Sequence, residues 1–111
     1  MIPKQGAIYL VDLDPTKGHE QSGKRPVLVL QNNVLNKNLS TIVIAPLTSN
    51  LKLKGTLTSY FLSSEICGLQ KDSVILLFQV RTIDKSRLEK YVGTLSETDF
   101  NDVKKQLSYV F

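Results

Sequence analysis

Short apolar runs rich in β-branched residues recur along this chain, separated by only a few polar, Pro or Gly residues. Runs of this length and composition predict strands. A crossover between parallel strands needs a dozen or more residues, and most of these intervals are shorter. The pattern therefore predicts a mainly β protein of antiparallel strands.

The predicted strands are, in chain order, Ala7–Leu13, Pro26–Gln31, Thr41–Ala45, Thr56–Leu62 and Ser73–Phe78, the last continuing through Gln79–Ile83. Pro46 is expected to end the third strand, because proline has no N–H for a sheet ladder. Polar loops are expected at residues 36–40 and 47–50. Strands this close together favour a small, strongly bent antiparallel barrel or sheet.

Two helices are predicted near the carboxyl end. A short one spans Asp84–Tyr91, with Asp84 as its cap. The second begins after Ser96 as its N-cap, and Asp99 lies three residues on, at the position where Glu or Gln would complete a capping box. Its apolar residues recur at helical spacing: Phe100, Val103, Leu107 and Val110. The 111 residues suit a single domain, 1–111, with this helix packed against the sheet.

Charge and cysteine content set loose bounds on function. The net charge of +4 and the pI near 9.3 are compatible with an anionic partner without requiring one. The lone Cys67 cannot form an internal disulfide, which favours a reducing, cytoplasmic location. No apolar run is long enough to span a bilayer, so no membrane association is expected.

Several catalytic chemistries are excluded by counting residues. His19 is the only histidine, so a two-histidine acid–base pair within one chain is impossible, and zinc sites lack ligands. No Gly-rich phosphate loop with its lysine occurs. Asp12 and Asp14 can in principle hold Mg²⁺, although Asp-Leu-Asp-Pro is more typical of a turn that ends a strand. Neither a metal nor a cofactor is expected.

The loop from Gly18 to Lys24, followed by Arg25 and Pro26, is the most promising site. Proline restricts the residue before it to extended geometry, so Arg25 enters the strand in one conformation. Arg, Thr, Ser, Glu and one His suit a phosphodiester that supplies its own nucleophile, the 2′-hydroxyl of RNA. A guanidinium can hold two phosphoryl oxygens at once. The plainer alternative is a surface ion pair between Arg25 and Glu20.

Three segments resemble the signature of the MazF/PemK toxins of type II toxin–antitoxin modules: Gly6–Val29, Ala45–Ser49 and Gln79–Asp84. The resemblance implies an SH3-like small barrel of antiparallel strands with a C-terminal α-helix. It also implies a homodimeric, sequence-selective endoribonuclease that cleaves single-stranded RNA, often mRNA, without metal. The products would carry 2′,3′-cyclic phosphate and 5′-OH ends. A cognate antitoxin would inhibit it by laying an extended acidic segment across the RNA groove.

Matched residue by residue, the resemblance implies that Arg25 and Thr48 are catalytic. His19 and Glu20 lie in the loop that would cover the site, where they can bind RNA or assist proton transfer. The candidate RNA-binding residues are Lys17, Gln21, Lys24, Ser49, Asn50, Phe78, Gln79 and Arg81.

Two positions depart from the family pattern. Ala7 stands where Asp is usual, and Phe78 stands where many members carry an acid. One branch assigns catalysis to that acid and to an Arg two positions earlier, where this chain has Leu76. The Arg25–Thr48 arrangement is therefore the expected one, and an exposed Phe78 can instead stack on a base. Two alternatives remain: a toxin of the same fold that poisons a protein such as DNA gyrase, and a degenerate member that only binds RNA or antitoxin.

Overall fold

The computed structural model describes residues 2–13, 18 and 23–111, with the backbone alone at 66 and 67. The described residues form seven strands: β1 (Ala7–Asp12), β2 (Lys24–Val29), β3 (Thr41–Thr48), β4 (Ser59–Leu62), β5 (Ser73–Leu76), β6 (Arg81–Asp84) and β7 (Leu88–Thr94). Their helices are α1 (Asn33–Asn38), α2 (Ser64–Cys67) and α3 (Glu97–Leu107). No helix within the described ranges is both long and apolar enough to cross a membrane.

The strands form one antiparallel path in the order β4-β5-β3-β2-β1-β7, and β6 also pairs with β3. The predicted fold class, mainly β with a C-terminal helix, is confirmed. Over the described residues this path runs from β4 to β7 without joining its two ends, so hydrogen bonding does not close a ring.

Both faces of the central strands are buried, because alternate residues pack into two different clusters. In β1, Ile8 belongs to the larger cluster, which also contains Leu28, Leu47 and Phe100. Its neighbours Ala7 and Tyr9 belong to the second cluster, with Val27, Ile44 and Leu88. This explains why β1 to β3 are nearly continuous apolar runs in the sequence.

The expectation that Pro46 ends the third strand is wrong. β3 continues to Thr48, but it changes partner: Val27 of β2 pairs with Pro46, whereas Leu47 and Thr48 pair with β5. Proline cannot donate to a ladder, so it is tolerated where pairing on one side stops. The recorded ladder between β2 and β3 ends at this residue.

Two other local predictions are corrected. The predicted loop at 36–40 is mostly helix, because the side chain of Asn32 caps α1 by accepting from Leu35 N and Asn36 is buried beneath it. The predicted helix Asp84–Tyr91 is a single 3-10 turn followed by β7. Asp84 does cap that turn, by accepting from Ser86 N at 2.8 Å, and Leu88 is buried, but pairing with β1 overrides the helical propensity.

Strand ends also differ from the prediction. β4 begins at Ser59, and β5 ends at Leu76, where a 3-10 turn from Leu77 to Gln79 leads into β6.

The C-terminal helix matches its prediction. Ser96 is the N-cap, since its hydroxyl accepts from Asp99 N at 3.1 Å and donates to the Asp99 carboxylate at 3.0 Å. Phe100 and Val103 are buried in the larger cluster, with Leu107 and Val110 packed against it. The helix therefore closes one face of the sheet.

Candidate functional site

Arg25 spans the gap that opens where β3 leaves β2. Its Nη1 donates to the carbonyl oxygen of Leu47 at 3.2 Å, just past the last recorded pair, Val27–Pro46. If the β2–β3 register is continued by two residues, Arg25 lies opposite Thr48. The guanidinium thus bonds β2 to β3 just past the end of their backbone pairing. This bond to the carbonyl oxygen of Leu47 holds it close to Thr48.

The side chain of Arg25 is also partly buried. This burial lowers the pKa of Arg25 from its ordinary value by desolvating the charged form. Because the ordinary pKa of a guanidinium lies far above neutral, Arg25 remains charged at neutral pH. A partly desolvated cation interacts more strongly with an incoming anion than a fully hydrated one does.

The Thr48 hydroxyl is also fixed by its neighbours. Its Oγ1 accepts from Asn50 N at 3.1 Å, and the Asn50 side chain in turn accepts from Lys52 N at 3.1 Å. A threonine hydroxyl that accepts one bond still has its proton to donate. Thr48 can therefore donate to an oxygen of a bound ligand. Asn50 supports this geometry through its backbone N–H, while its side chain and that of Ser49 are exposed or turned to the loop.

Arg25 and Thr48 line one cavity of about 590 Å³. Its apolar lining residues are Leu10, Pro26, Leu47, Leu69 and Val92, and its polar ones are Lys24, Arg25, Thr48, Ser49, Gln70, Lys71, Ser73, Lys90 and Tyr91, together with Gly68. Four of the described lining residues are basic and none of them is acidic. The cavity is suited to an anionic ligand with an apolar part.

The structure brings together four of the predicted residues: Lys24, Arg25, Thr48 and Ser49 all line the cavity. Lys24 forms an ion pair with Glu89 at 3.5 Å. Asn50 lies beside them through its bond to Thr48.

Three other predicted residues lie elsewhere. Phe78, Gln79 and Arg81 are not among the described residues that line the cavity. Phe78 is 44% exposed, which leaves its ring accessible for stacking, while Gln79 and Arg81 are half-buried. Arg81 pairs with Ile44, four residues along β3 from Thr48, or about 13 Å in an extended strand. A site that uses all of them must extend well beyond the cavity.

Lys17, His19, Glu20 and Gln21 lie outside the described residues, and so does Asp14. Their predicted roles remain predictions. Among the residues that are described, no group of three or more His, Cys, Asp or Glu is arranged to hold a metal ion.

Sequence reasoning missed Lys71 and Lys90, which also line the cavity. Lys90 was hidden by the incorrect helix prediction, since only a strand paired with β1 carries it to this site. Lys71 follows α2 in a turn that no motif marks. The sequence feature that could have pointed to both lysines is a positive charge next to a short apolar strand. That feature is a weak signal on its own.

A scan against protein-family models matches residues 4–111 to the PemK-like, MazF-like toxin of type II toxin–antitoxin systems. Among curated proteins, the chain is similar to Endoribonuclease MazF of Staphylococcus epidermidis. The two are 39% identical over 104 residues, which cover 94% of this chain and 87% of that protein.

Solved structures show the same fold. MazF from Deinococcus radiodurans superposes with a TM-score of 0.83 at 25% identity, covering 99% of this chain and 96% of that one. A MazE–MazF structure from the same organism superposes with a TM-score of 0.77 at 26% identity, again covering 99% and 96%.

Proposed function

The chain belongs to the PemK-like, MazF-like toxin family of type II toxin–antitoxin systems, and on that premise we propose that it is a toxin that cleaves single-stranded RNA. The observation that carries the proposal is that Arg25, held by its bond to Leu47 O, and Thr48 line the same cation-bearing cavity. That arrangement supplies a charge and a hydroxyl donor at one point, which is what a phosphodiester in reaction needs.

The proposed reaction is an internal transfer. The 2′-hydroxyl oxygen attacks the adjacent phosphorus, the bond from phosphorus to the 5′-oxygen breaks, and a 2′,3′-cyclic phosphate and a 5′-hydroxyl result. The proton lost by the 2′-hydroxyl is balanced by the one gained at the leaving oxygen. Arg25 stabilises the negative charge on the phosphoryl oxygens, while Thr48 donates to one of them and fixes the orientation.

Arg25 is better suited to this electrostatic role than to that of a base. Burial lowers its pKa, but from an ordinary value far above neutral, so the neutral form is scarce. We propose that His19 and Glu20 exchange the protons, because an imidazole has an intrinsic pKa close to physiological pH. The chemistry as written requires no metal ion.

We further propose that the substrate includes mRNA, that cleavage is sequence-selective and that it inhibits translation and growth in the cytoplasm. The proposed partners are a second copy of the chain, which completes the RNA groove, and a cognate antitoxin. The antitoxin proposal draws on the related MazF that was solved together with MazE. The similar curated protein is an endoribonuclease, so the alternative of a gyrase poison gains no support.

The test is cleavage of a labelled single-stranded RNA library by the purified protein in excess EDTA. We expect cuts at a limited set of sequences, cyclic phosphate and 5′-hydroxyl ends, and no cut where a 2′-deoxynucleotide precedes the scissile phosphate. Intact RNA across the library at enzyme excess would refute the proposal. Cleavage that persists at the 2′-deoxy position would refute the internal-transfer mechanism.

A further inference from the structure

The cavity that holds Arg25 and Thr48 continues to two lysines with no role so far. Lys90 on β7 lies directly opposite Leu10 on β1, and Leu10 lies directly opposite Pro26 on β2. Directly opposite residues share a face of a sheet, so these three form a row across three strands. Lys71 lines the cavity from the turn between α2 and β5.

The positive charges of Lys71 and Lys90 are available to a ligand. Lys24 is engaged by Glu89, which partly neutralises it. Neither Lys71 nor Lys90 forms an ion pair with another residue in the part of the chain that the structure describes. Both side chains are exposed to solvent. Two cations thus border a half-buried apolar strip made by Leu10 and Pro26.

We propose that Lys71 and Lys90 bind phosphates next to the scissile phosphate, with a sugar or base packed against Leu10 and Pro26. This assignment rests on the proposed function, since it takes Arg25 and Thr48 as the position of the scissile phosphate. In a single strand the neighbouring phosphates lie one nucleotide away from the scissile phosphate, so cations that line the same cavity are placed to bind them. Apolar surface between cations matches a chain in which sugars and bases alternate with phosphates.

An acidic peptide is the competing occupant. RNA is favoured because the two lysines share one cavity with Arg25 and Thr48, so one bound strand can contact all four residues. Phosphate contacts of this kind are sequence-independent and have a defined salt dependence. They add affinity and register, while sequence choice arises elsewhere.

The test compares Lys71→Gln/Lys90→Gln with a control of equal charge loss, Lys4→Gln/Lys105→Gln, whose exposed lysines are not among the described residues of the cavity. The probe is a fluorescein-labelled, fully 2′-O-methyl single-stranded RNA of mixed sequence, which cannot be cleaved. Its Kd is measured by anisotropy between about 50 and 200 mM salt, the range over which phosphate contacts strongly affect affinity. Thermal melting confirms folding, and each single variant is measured in case the double variant does not fold.

Each phosphate contact contributes about 0.7 to the slope of log K against log salt for single strands. The slope of the double variant should therefore be smaller than that of the wild type by about 1.4. Between the two salt concentrations, its affinity for the RNA should then weaken about sevenfold less than that of the wild type. Each single variant should lose about half of that slope change, and the control should keep the wild-type slope. A double variant with the same slope as the control would overturn the inference.

Two further outcomes separate the inference from the proposed function. A reduced slope in a protein that cleaves no RNA would show that the two lysines bind phosphates, but it would refute the enzymatic function and with it their placement beside a scissile phosphate. Normal cleavage with an unchanged slope would refute the lysine assignment alone. If the slope is unchanged and only the binding of a polyglutamate peptide weakens, the surface belongs to an acidic peptide and the inference is wrong.

Discussion

The guanidinium of Arg25 donates to the carbonyl oxygen of Leu47, the residue directly before Thr48, at 3.2 Å. One side chain thus joins two strands at the point where their backbone ladder ends, and it does so beside the second proposed catalytic residue. The same contact has a structural role and a proposed functional one. Substitutions must therefore be chosen to separate them.

Arg25→Lys tests whether the site needs a planar, forked cation. Lysine keeps the charge but holds oxygens as a point charge, without bidentate geometry. We expect kcat for RNA cleavage to fall by about 10²-fold or more, in line with the loss of one transition-state donor. Loss of the bond to Leu47 should lower the free energy of unfolding by about 1 kcal/mol, measured by urea denaturation. Wild-type cleavage by this variant would show that a point charge is sufficient.

Thr48→Val removes the hydroxyl and keeps the shape of the side chain. The variant should lose about 10²-fold in kcat, because the donor to the phosphoryl oxygen is gone. Thr48→Ser is the matched control, since it keeps the hydroxyl that accepts from Asn50 N. Serine should retain most of the activity in the same gel-based assay. Equal activity of the Val and Ser variants would remove the hydroxyl from the mechanism.

Asn36→Ala should destabilise the fold while it leaves RNA cleavage intact. The buried Asn36 amide donates to Gln31 O at 2.8 Å, and its oxygen accepts from the Gln31 side chain at 3.0 Å. Truncation leaves buried partners unsatisfied, which costs about 2–3 kcal/mol. Chemical denaturation measures this loss. The control is Asn38→Ala, which removes an exposed bond to Val34 O and should cost well under 1 kcal/mol. A similar cost for both variants would contradict the buried network.

Tyr60→Phe should show a pH-dependent loss of stability. The Tyr60 hydroxyl donates to Asp99 at 2.8 Å and joins β4 to α3. Burial, and then the bond and charge of Asp99, raise the pKa of Tyr60 above its ordinary value of about 10. The stabilisation is therefore complete below about pH 10 and is lost as the pH rises from there towards the folded-state pKa.

Thermal melting of wild type and Tyr60→Phe should accordingly show a constant difference, of about 1 kcal/mol, from pH 7 to 9. The difference should shrink above about pH 10. Tyr109→Phe, at an exposed position, serves as the control and should behave as wild type throughout. A difference that widens in alkali would contradict this account of Tyr60.

Local signals predicted most of the fold. The capped helix after Ser96 and the presence of β1 and β2 were predicted correctly because their patterns are strong over short stretches, although β2 runs from Lys24 to Val29 and so includes Arg25. The prediction at Pro46 was wrong because the sequence shows that one ladder must end there, but not that β3 also pairs with β5, in addition to β2 and β6. The helix predicted after Asp84 was wrong because pairing with β1, and not the local sequence, decides the conformation of this segment.

The sequence predicted only part of the candidate site, for the same reason. Arg25 was singled out by its place before Pro26 and Thr48 only by a family resemblance, and strand pairing brings both to one cavity. Lys90 reaches that cavity only through the register of β7 on β1, which no local pattern specifies. Residues assembled by register between distant segments are those that sequence reasoning tends to miss.

The central claim is that Arg25 and Thr48 act together on one phosphate. Its most direct test is a double-mutant cycle on kcat for RNA cleavage in EDTA, with Arg25→Ala, Thr48→Ala and both. Residues that act as a unit are strongly non-additive. We predict that each single variant loses about 10²–10³-fold and that the double variant loses little more than the worse single one. Normal cleavage by either single variant, or losses that simply multiply in the double variant, would contradict the claim.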